Sequence, residues 1–186
     1  DASDTVPAKP LVYIIPIEEE IDGQMSNLVA RGFAEAKELG AALVVLDIDT
    51  FGGYVDAAIA IKNTVIAQSL ETLAFVDGKA ISAGSLIAFS GKQLVMMPGS
   101  TIGAAEPRSG GVKADEKALS MWRTELASAA EARGRDGQIA AAMADSDIEI
   151  PGLKEKGKLL TLTATQAVEL GMADGIVNSL YEAIDF

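Results

Sequence analysis

Residues 41–48, AALVVLDI, are apolar at every position but one and show no alternation between polar and apolar residues. A strand of that kind is covered on both faces, as in a parallel sheet packed between layers. Ahead of it, residues 24–39 place Leu28, Val29, Phe33 and Ala34 at helical spacing and stop at Gly40; behind it, residues 55–68 do the same with Ile59, Ile61, Val65 and Ile66. Residues 11–17, 72–76 and 94–97 are further runs of strand length, and residues 83–89 form a short apolar helix. Strands alternating with helices mean βαβ units, right-handed crossovers and a layered α/β fold.

The rhythm breaks at residues 106–112, where Pro107, Ser109, Gly110 and Gly111 predict a mobile loop. Beyond it, residues 114–132 and 138–144 read as helices separated by Gly134 and Gly137. Thr163 is placed to cap a last helix over 164–170, closed by Gly171, with a final strand over 175–177. No repeat or linker interrupts the chain. The expected organisation is a flexible segment, 1–10, followed by a single domain, 11–186.

Composition removes whole classes of chemistry. The chain has no histidine and no cysteine. A Ser-His-Asp triad, imidazole acid–base work, a thiolate nucleophile and His- or Cys-ligated zinc are therefore impossible. Proton transfer falls to Asp, Glu, Lys or Tyr. A net charge of −12 argues against nucleic acid, whose phosphates need a positive footprint, and against docking on anionic lipid by charge. Aromatics are only 5% of residues, so the core must come from Ala, Val, Ile and Leu. No run approaches the roughly 20 apolar residues that span a bilayer. Residues 1–9 are polar, unlike a signal peptide, and read as a mature or trimmed start with any anchor lying outside this sequence.

Two segments have the makings of a reactive centre. Asp49-Thr50-Phe51-Gly52-Gly53 follows the strongest strand, where glycines let bare N–H groups approach a ligand and hold a developing oxyanion. A plain strand-to-helix turn reads the same way. Ile81-Ser82-Ala83-Gly84-Ser85 again stands where a strand meets an apolar helix, with orphan amides and the helix dipole beside the Ser82 hydroxyl. Ser82 acting simply as a helix cap fits too. A serine nucleophile in this chain needs a base other than imidazole, and a lysine can serve where burial brings its pKa from about 10.4 to 7–8. Lys117 stands just after the Gly-rich segment at a helix start; Lys79, Lys92 and Lys113 are its competitors.

The order DTFGG, ISAGSLIA, PGSTIGAAEP, followed by EARGRDGQIAAAMADSDIEIPGL and GKLLTLTATQAVELGMADGI, resembles the ClpP-class serine peptidases, most closely their membrane-bound NfeD branch. The resemblance runs from about Val12 to Val177. It implies a ClpP/crotonase-like fold of spiral ββα units and a homo-oligomer. It carries the catalytic serine onto Ser82, the lysine onto Lys117, and the backbone oxyanion donors onto Gly52, Gly53 and Ala83. One position departs: Phe51 stands where the family usually has proline, and with Ile81 it is expected to line the substrate pocket.

The implied reaction is hydrolysis of apolar peptide segments through an acyl-enzyme on Ser82, without metal or cofactor. The implied substrates are membrane-associated proteins such as stomatin-like partners, in a cleft of Ala, Ile, Leu and Met. The implied location is a membrane-anchored protein with this domain on the extracytoplasmic side. Because the lysine follows a loop, Ser82 and Lys117 are expected to stand apart at rest. Two other functions fit the residues: an inactive scaffold that binds a stomatin-like partner, and a CoA-thioester hydratase or isomerase with Glu106 as its carboxylate.

Overall fold

The computed structural model describes residues 8–186, so most of the expected flexible segment, residues 1–7, lies outside it. In chain order the elements are β1 (Val12–Ile21), α1 (Gly23–Glu38), β2 (Leu43–Gly53), α2 (Val55–Ile66), β3 (Thr72–Ile81) and α3 (Ala83–Ser90). Next come β4 (Gln93–Met96), β5 (Thr101–Gly103), β6 (Arg108–Ser109), β7 (Val112–Lys113), α4 (Glu116–Ala132) and α5 (Gly137–Ala142). The chain closes with β8 (Thr161–Thr163), α6 (Ala164–Glu169), β9 (Gly175–Ile176) and α7 (Leu180–Ile184). The main sheet runs β1-β2-β3-β4-β9, all parallel.

β3 serves two neighbours in turn. Its first half, Leu73 to Val76, pairs with β4, and its second half, Lys79 to Ile81, pairs with β5, which then pairs antiparallel with β8. The strand therefore runs past the edge of the β4 layer and delivers Ser82 to the far end of the sheet. Side-chain alternation along β2 divides the core. Val44, Leu46 and Ile48 face the main cluster with the helices, while Val45 joins Leu73, Phe75 and Val95 under α7. Both faces are covered, as the unbroken run of β2 requires, but α7 is short and the second face opens beyond Val45.

Several expectations are corrected. Strand β1 continues to Ile21 because Glu18, Glu20 and Ile21 still find partners on β2, a pairing no local pattern of three glutamates announces. The DTFGG segment is the end of β2 rather than a turn, with shifts of register on both sides. The segment expected to be a mobile loop is a hairpin, β6–β7, whose Gly110 and Gly111 both take the positive φ of a tight two-residue turn. β5, β8 and α7 are too short for a periodic signal and were not expected. Thr163 does cap its helix through a reciprocal pair with Gln166, although α7 rather than α6 is the last helix.

Two buried groups generate stability predictions. Lys154 donates to the carbonyls of Asp145 and Ser146 at 3.0 Å and to that of Ile148, and burial pushes its pKa down. Lys154→Met should leave three carbonyls unpartnered and cost about 2–4 kcal/mol, read as a fall in the thermal midpoint. Asp47 sits where the second face opens; burial first, then the charges of Asp77, Glu18 and Asp49, raise its pKa from 3.8 to about 6. The native state thus holds a proton that the unfolded chain has already lost, so this residue costs stability as pH rises through that window. Asp47→Asn should gain about 1–2 kcal/mol above pH 6 after allowance for solvent screening, and nothing at pH 4, in denaturant melts.

Candidate active site

Ser82 occupies the joint between β3 and α3 with φ 55° and ψ −120°, outside the regions favoured for a residue with a side chain. Its N–H donates to Gly103 at 2.9 Å, and its carbonyl accepts from Ser85 N–H at 3.0 Å and Ser85 Oγ at 2.6 Å. Its own side chain makes no capping bond. The hydroxyl is therefore not spent on the helix, which removes the plain capping role.

What holds this posture is the end of β2. Gly52 has φ +107°, and a Cβ there would stand 2.7 Å from Ser82 Cβ and 3.0 Å from Ala83 N. Thr50, fully buried, ties the segment down: its Oγ1 donates to the Glu19 carbonyl and accepts from Gly52 N–H at 3.0 Å. Gly52 N–H is thereby committed, while Gly53 and Ala83 are among the residues that line the cleft beside Ser82. Ala83 opens α3, so its N–H is one of the donors a helix leaves unpaired. Among the described residues three non-glycine residues have positive φ: Glu19, Ser82 and Ala104. Glu19 holds Thr50, and Ala104 follows the residue that receives the Ser82 amide, so backbone strain is concentrated around this serine.

Ser82 opens into a cleft of about 750 Å³. The cleft is walled by Phe51, Tyr54, Ile59, Met121 and Trp122. The indole N–H of Trp122 donates to Ala105 at 2.8 Å, fixing the floor. Charge enters as well: Glu20, Asp56 and Glu106 line the cleft, and Glu106 pairs with Arg108 of the β6–β7 hairpin at 2.9 Å. The expected lining is met in part by Ala83, Ile59 and Met121, and aromatic and acidic side chains join it. Ile81 is not part of it; it pairs with Gly103 on β5, and the alternation of the strand turns the cleft over to its neighbour. Another cavity, of about 530 Å³ beside Ile150 and Leu160, contains no serine.

The lysines sort themselves by partner. Lys79 pairs with Asp49 at 2.7 Å and Lys92 with Glu71 at 3.0 Å. Lys113 and Lys117 are solvent-exposed and take part in no ion pair among the described residues. Lys117 lies on α4 one turn before Met121, so it shares the helix face that meets the cleft. No hydrogen bond joins it to Ser82. Arg108, Tyr54 and Glu20 were not singled out in the sequence. Glu20 reaches the cleft through strand pairing and Arg108 through the hairpin, which no local motif signals, while Tyr54 follows Gly53 directly as the N-cap of α2. Among the described residues no group of His, Cys, Asp and Glu side chains could hold a metal ion, and no helix is long and apolar enough to cross a membrane.

A family model described as NfeD1b, N-terminal domain, matches residues 11–185. The chain is 37% identical over 174 residues to Membrane protein NfeD1b of Bacillus subtilis, covering 92% of this chain and 40% of that protein. It is 25% identical over 186 residues to Membrane-bound protease PH1510 of Pyrococcus horikoshii, covering 95% of this chain and again 40% of the relative. The chain thus spans two fifths of the length of each. Among solved structures it superposes on a serine-to-alanine variant of the membrane-bound stomatin-specific protease 1510-N with a TM-score of 0.83, at 24% identity over 96% of this chain and 84% of the other. A lysine-to-alanine variant of that protease, solved in complex with a substrate peptide, gives the same TM-score, covering 96% of this chain and 80% of the other. ClpP1 from Listeria monocytogenes matches with a TM-score of 0.71 at 18% identity, over 92% and 94% of the two chains. The structural likenesses establish a ClpP-like α/β fold, and the sequence matches show that the chain belongs to the NfeD1b N-terminal domain family.

Proposed function

We propose that this chain is the protease domain of a membrane-bound serine endopeptidase, with Ser82 as nucleophile and Lys117 as general base. The observation that carries the reading is Ser82 itself, held in a strained joint with an uncommitted hydroxyl, in a cleft that Gly53 and Ala83 also line. Ser82 Oγ attacks the scissile carbonyl as its proton passes to Lys117 Nζ. The Gly53 and Ala83 amides then receive the oxyanion, each such donor being worth about 3–4 kcal/mol. Lys117 next protonates the leaving amine, and water drawn to the same base releases the acyl group.

For that sequence Lys117 must swing inward from its exposed position. The hairpin just before it, tethered by Glu106–Arg108, is the element whose movement brings α4's first turn toward Ser82. Substrate filling the cleft, or assembly into a homo-oligomer, supplies the ordering. The aromatic wall suits apolar peptide segments, and the kinship with a stomatin-specific protease points to stomatin-like membrane proteins as substrates. Residues 11–186 act as one unit, on the extracytoplasmic face in the full-length protein, with the membrane tether outside this sequence. An exposed Lys117 with no hydrogen bond to Ser82 fits this resting state and equally fits one rival, a domain that binds such a partner without cleaving it.

Intact-mass labelling with a fluorophosphonate between pH 6 and 10 decides between them. Wild type should gain one adduct, Ser82→Ala none, and Lys117→Ala should react about 10²–10⁴-fold more slowly. Peptide binding that survives Ser82→Ala, with no labelling of wild type at any pH, would replace the protease by the binding domain. Gly52→Ala, which forces a methyl against Ser82, should fold but label at least about tenfold more slowly; unchanged labelling would mean the strained joint is not what activates the serine.

A further inference from the structure

Phe51 is large and apolar yet 77% exposed, and it is not free. Lys79 Nζ lies 4.4 Å from the centroid of its ring, within cation–π range. The same ammonium is 2.7 Å from Asp49 Oδ1. Asp49 and Phe51 are two residues apart on β2, and Lys79 comes from the adjoining β3. A Cβ at Gly78 would stand 2.5 Å from Asp49 Oδ1, so the carboxylate lies over bare β3 backbone and reaches Lys79 because that position carries no side chain. Carboxylate, ammonium and ring form one stack.

Phe51 also lines two cavities. One is the 750 Å³ cleft that holds Ser82; the other is a cavity of about 410 Å³ bordered by Glu19, Thr50 and Lys79. Phe51 and Glu20 are the side chains the two have in common.

We propose that Phe51 is the selectivity wall of the cleft and that Lys79 and Asp49 are the positioning residues that hold its ring. With the wall in place, the acyl-side group of a substrate is confined to the Ser82 cleft. With the ring removed or released, the two cavities join and longer apolar groups are admitted. The proposal rests on Ser82 being the nucleophile and adds the determinant of what reaches it.

The test is hydrolysis of p-nitrophenyl acetate, butyrate and octanoate by this chain, with Ser82→Ala as the control for site-specific turnover. The octanoate-to-acetate ratio of kcat/KM should rise about tenfold in Phe51→Ala, the order of effect expected when a pocket changes by one small apolar group or more. Lys79→Met should raise the ratio about threefold, chiefly through a lower KM for octanoate, and Lys79→Arg, which keeps the cation over the ring, should restore the wild-type value. Ser82-dependent turnover with a ratio unchanged within twofold in Phe51→Ala would overturn the wall. A Lys79→Arg ratio equal to that of Lys79→Met would overturn the positioning role. No Ser82-dependent turnover in any variant would remove the nucleophile and the wall with it.

Discussion

The contact on which this site depends is the one between Gly52 at the end of β2 and Ser82 at the end of β3. Two parallel strands would normally diverge into their crossover helices at this level. Here β2 instead runs on through two shifts of register, tied by Thr50 to the Glu19 carbonyl, until its bare glycine backbone presses against the serine. Gly52 leaves no room for relaxation of Ser82 toward β2, and the Ser82–Gly103 hydrogen bond fixes the other side. A residue with positive φ persists only when its surroundings over-determine it, and these two constraints are those surroundings.

The helix that begins at this serine is held from both ends. All eight residues of α3 are buried, so it needs no amphipathic pattern and lies inside the layer between sheet and helices. Its C-terminal carbonyls are met by arginines from beyond α4: Arg133 donates to Ser90 at 2.9 Å, and Arg135 donates to Phe89 at 3.2 Å and Gly91 at 3.3 Å. Cations at that end complement the helix dipole, leaving the opposite end, with its free amides, turned toward the Ser82 cleft. Burial pushes the pKa of Arg135 down, while Asp174 offsets part of that cost.

Much of this was legible in the chain before any coordinates. β2 announces a doubly covered strand because apolar residues fill both of its faces, and α1 and α2 show helical spacing because each buries one stripe. The absence of histidine left Asp, Glu, Lys or Tyr to move the proton in a serine mechanism. The hairpin, by contrast, was hidden by its composition: Gly110 and Gly111 signal flexibility and a tight turn equally well, and only the pairing of Arg108 with Lys113 chooses. Ile81 does not line the cleft for a similar reason, since its pairing with Gly103 and the alternation along β3 set which residue faces it, and neither leaves a trace in composition.

By itself, the sequence determined the layered α/β class, the covered central strand, the serine at a strand-to-helix joint and the exclusion of imidazole and thiolate chemistry, because each follows from residue type and local spacing. Tertiary structure alone decided that the Gly52 N–H is committed to Thr50, which lysines are already bound, and that Phe51 is pinned beneath Lys79. Those outcomes depend on segments tens of residues apart meeting with a definite register, and no local preference encodes where two distant strands will touch.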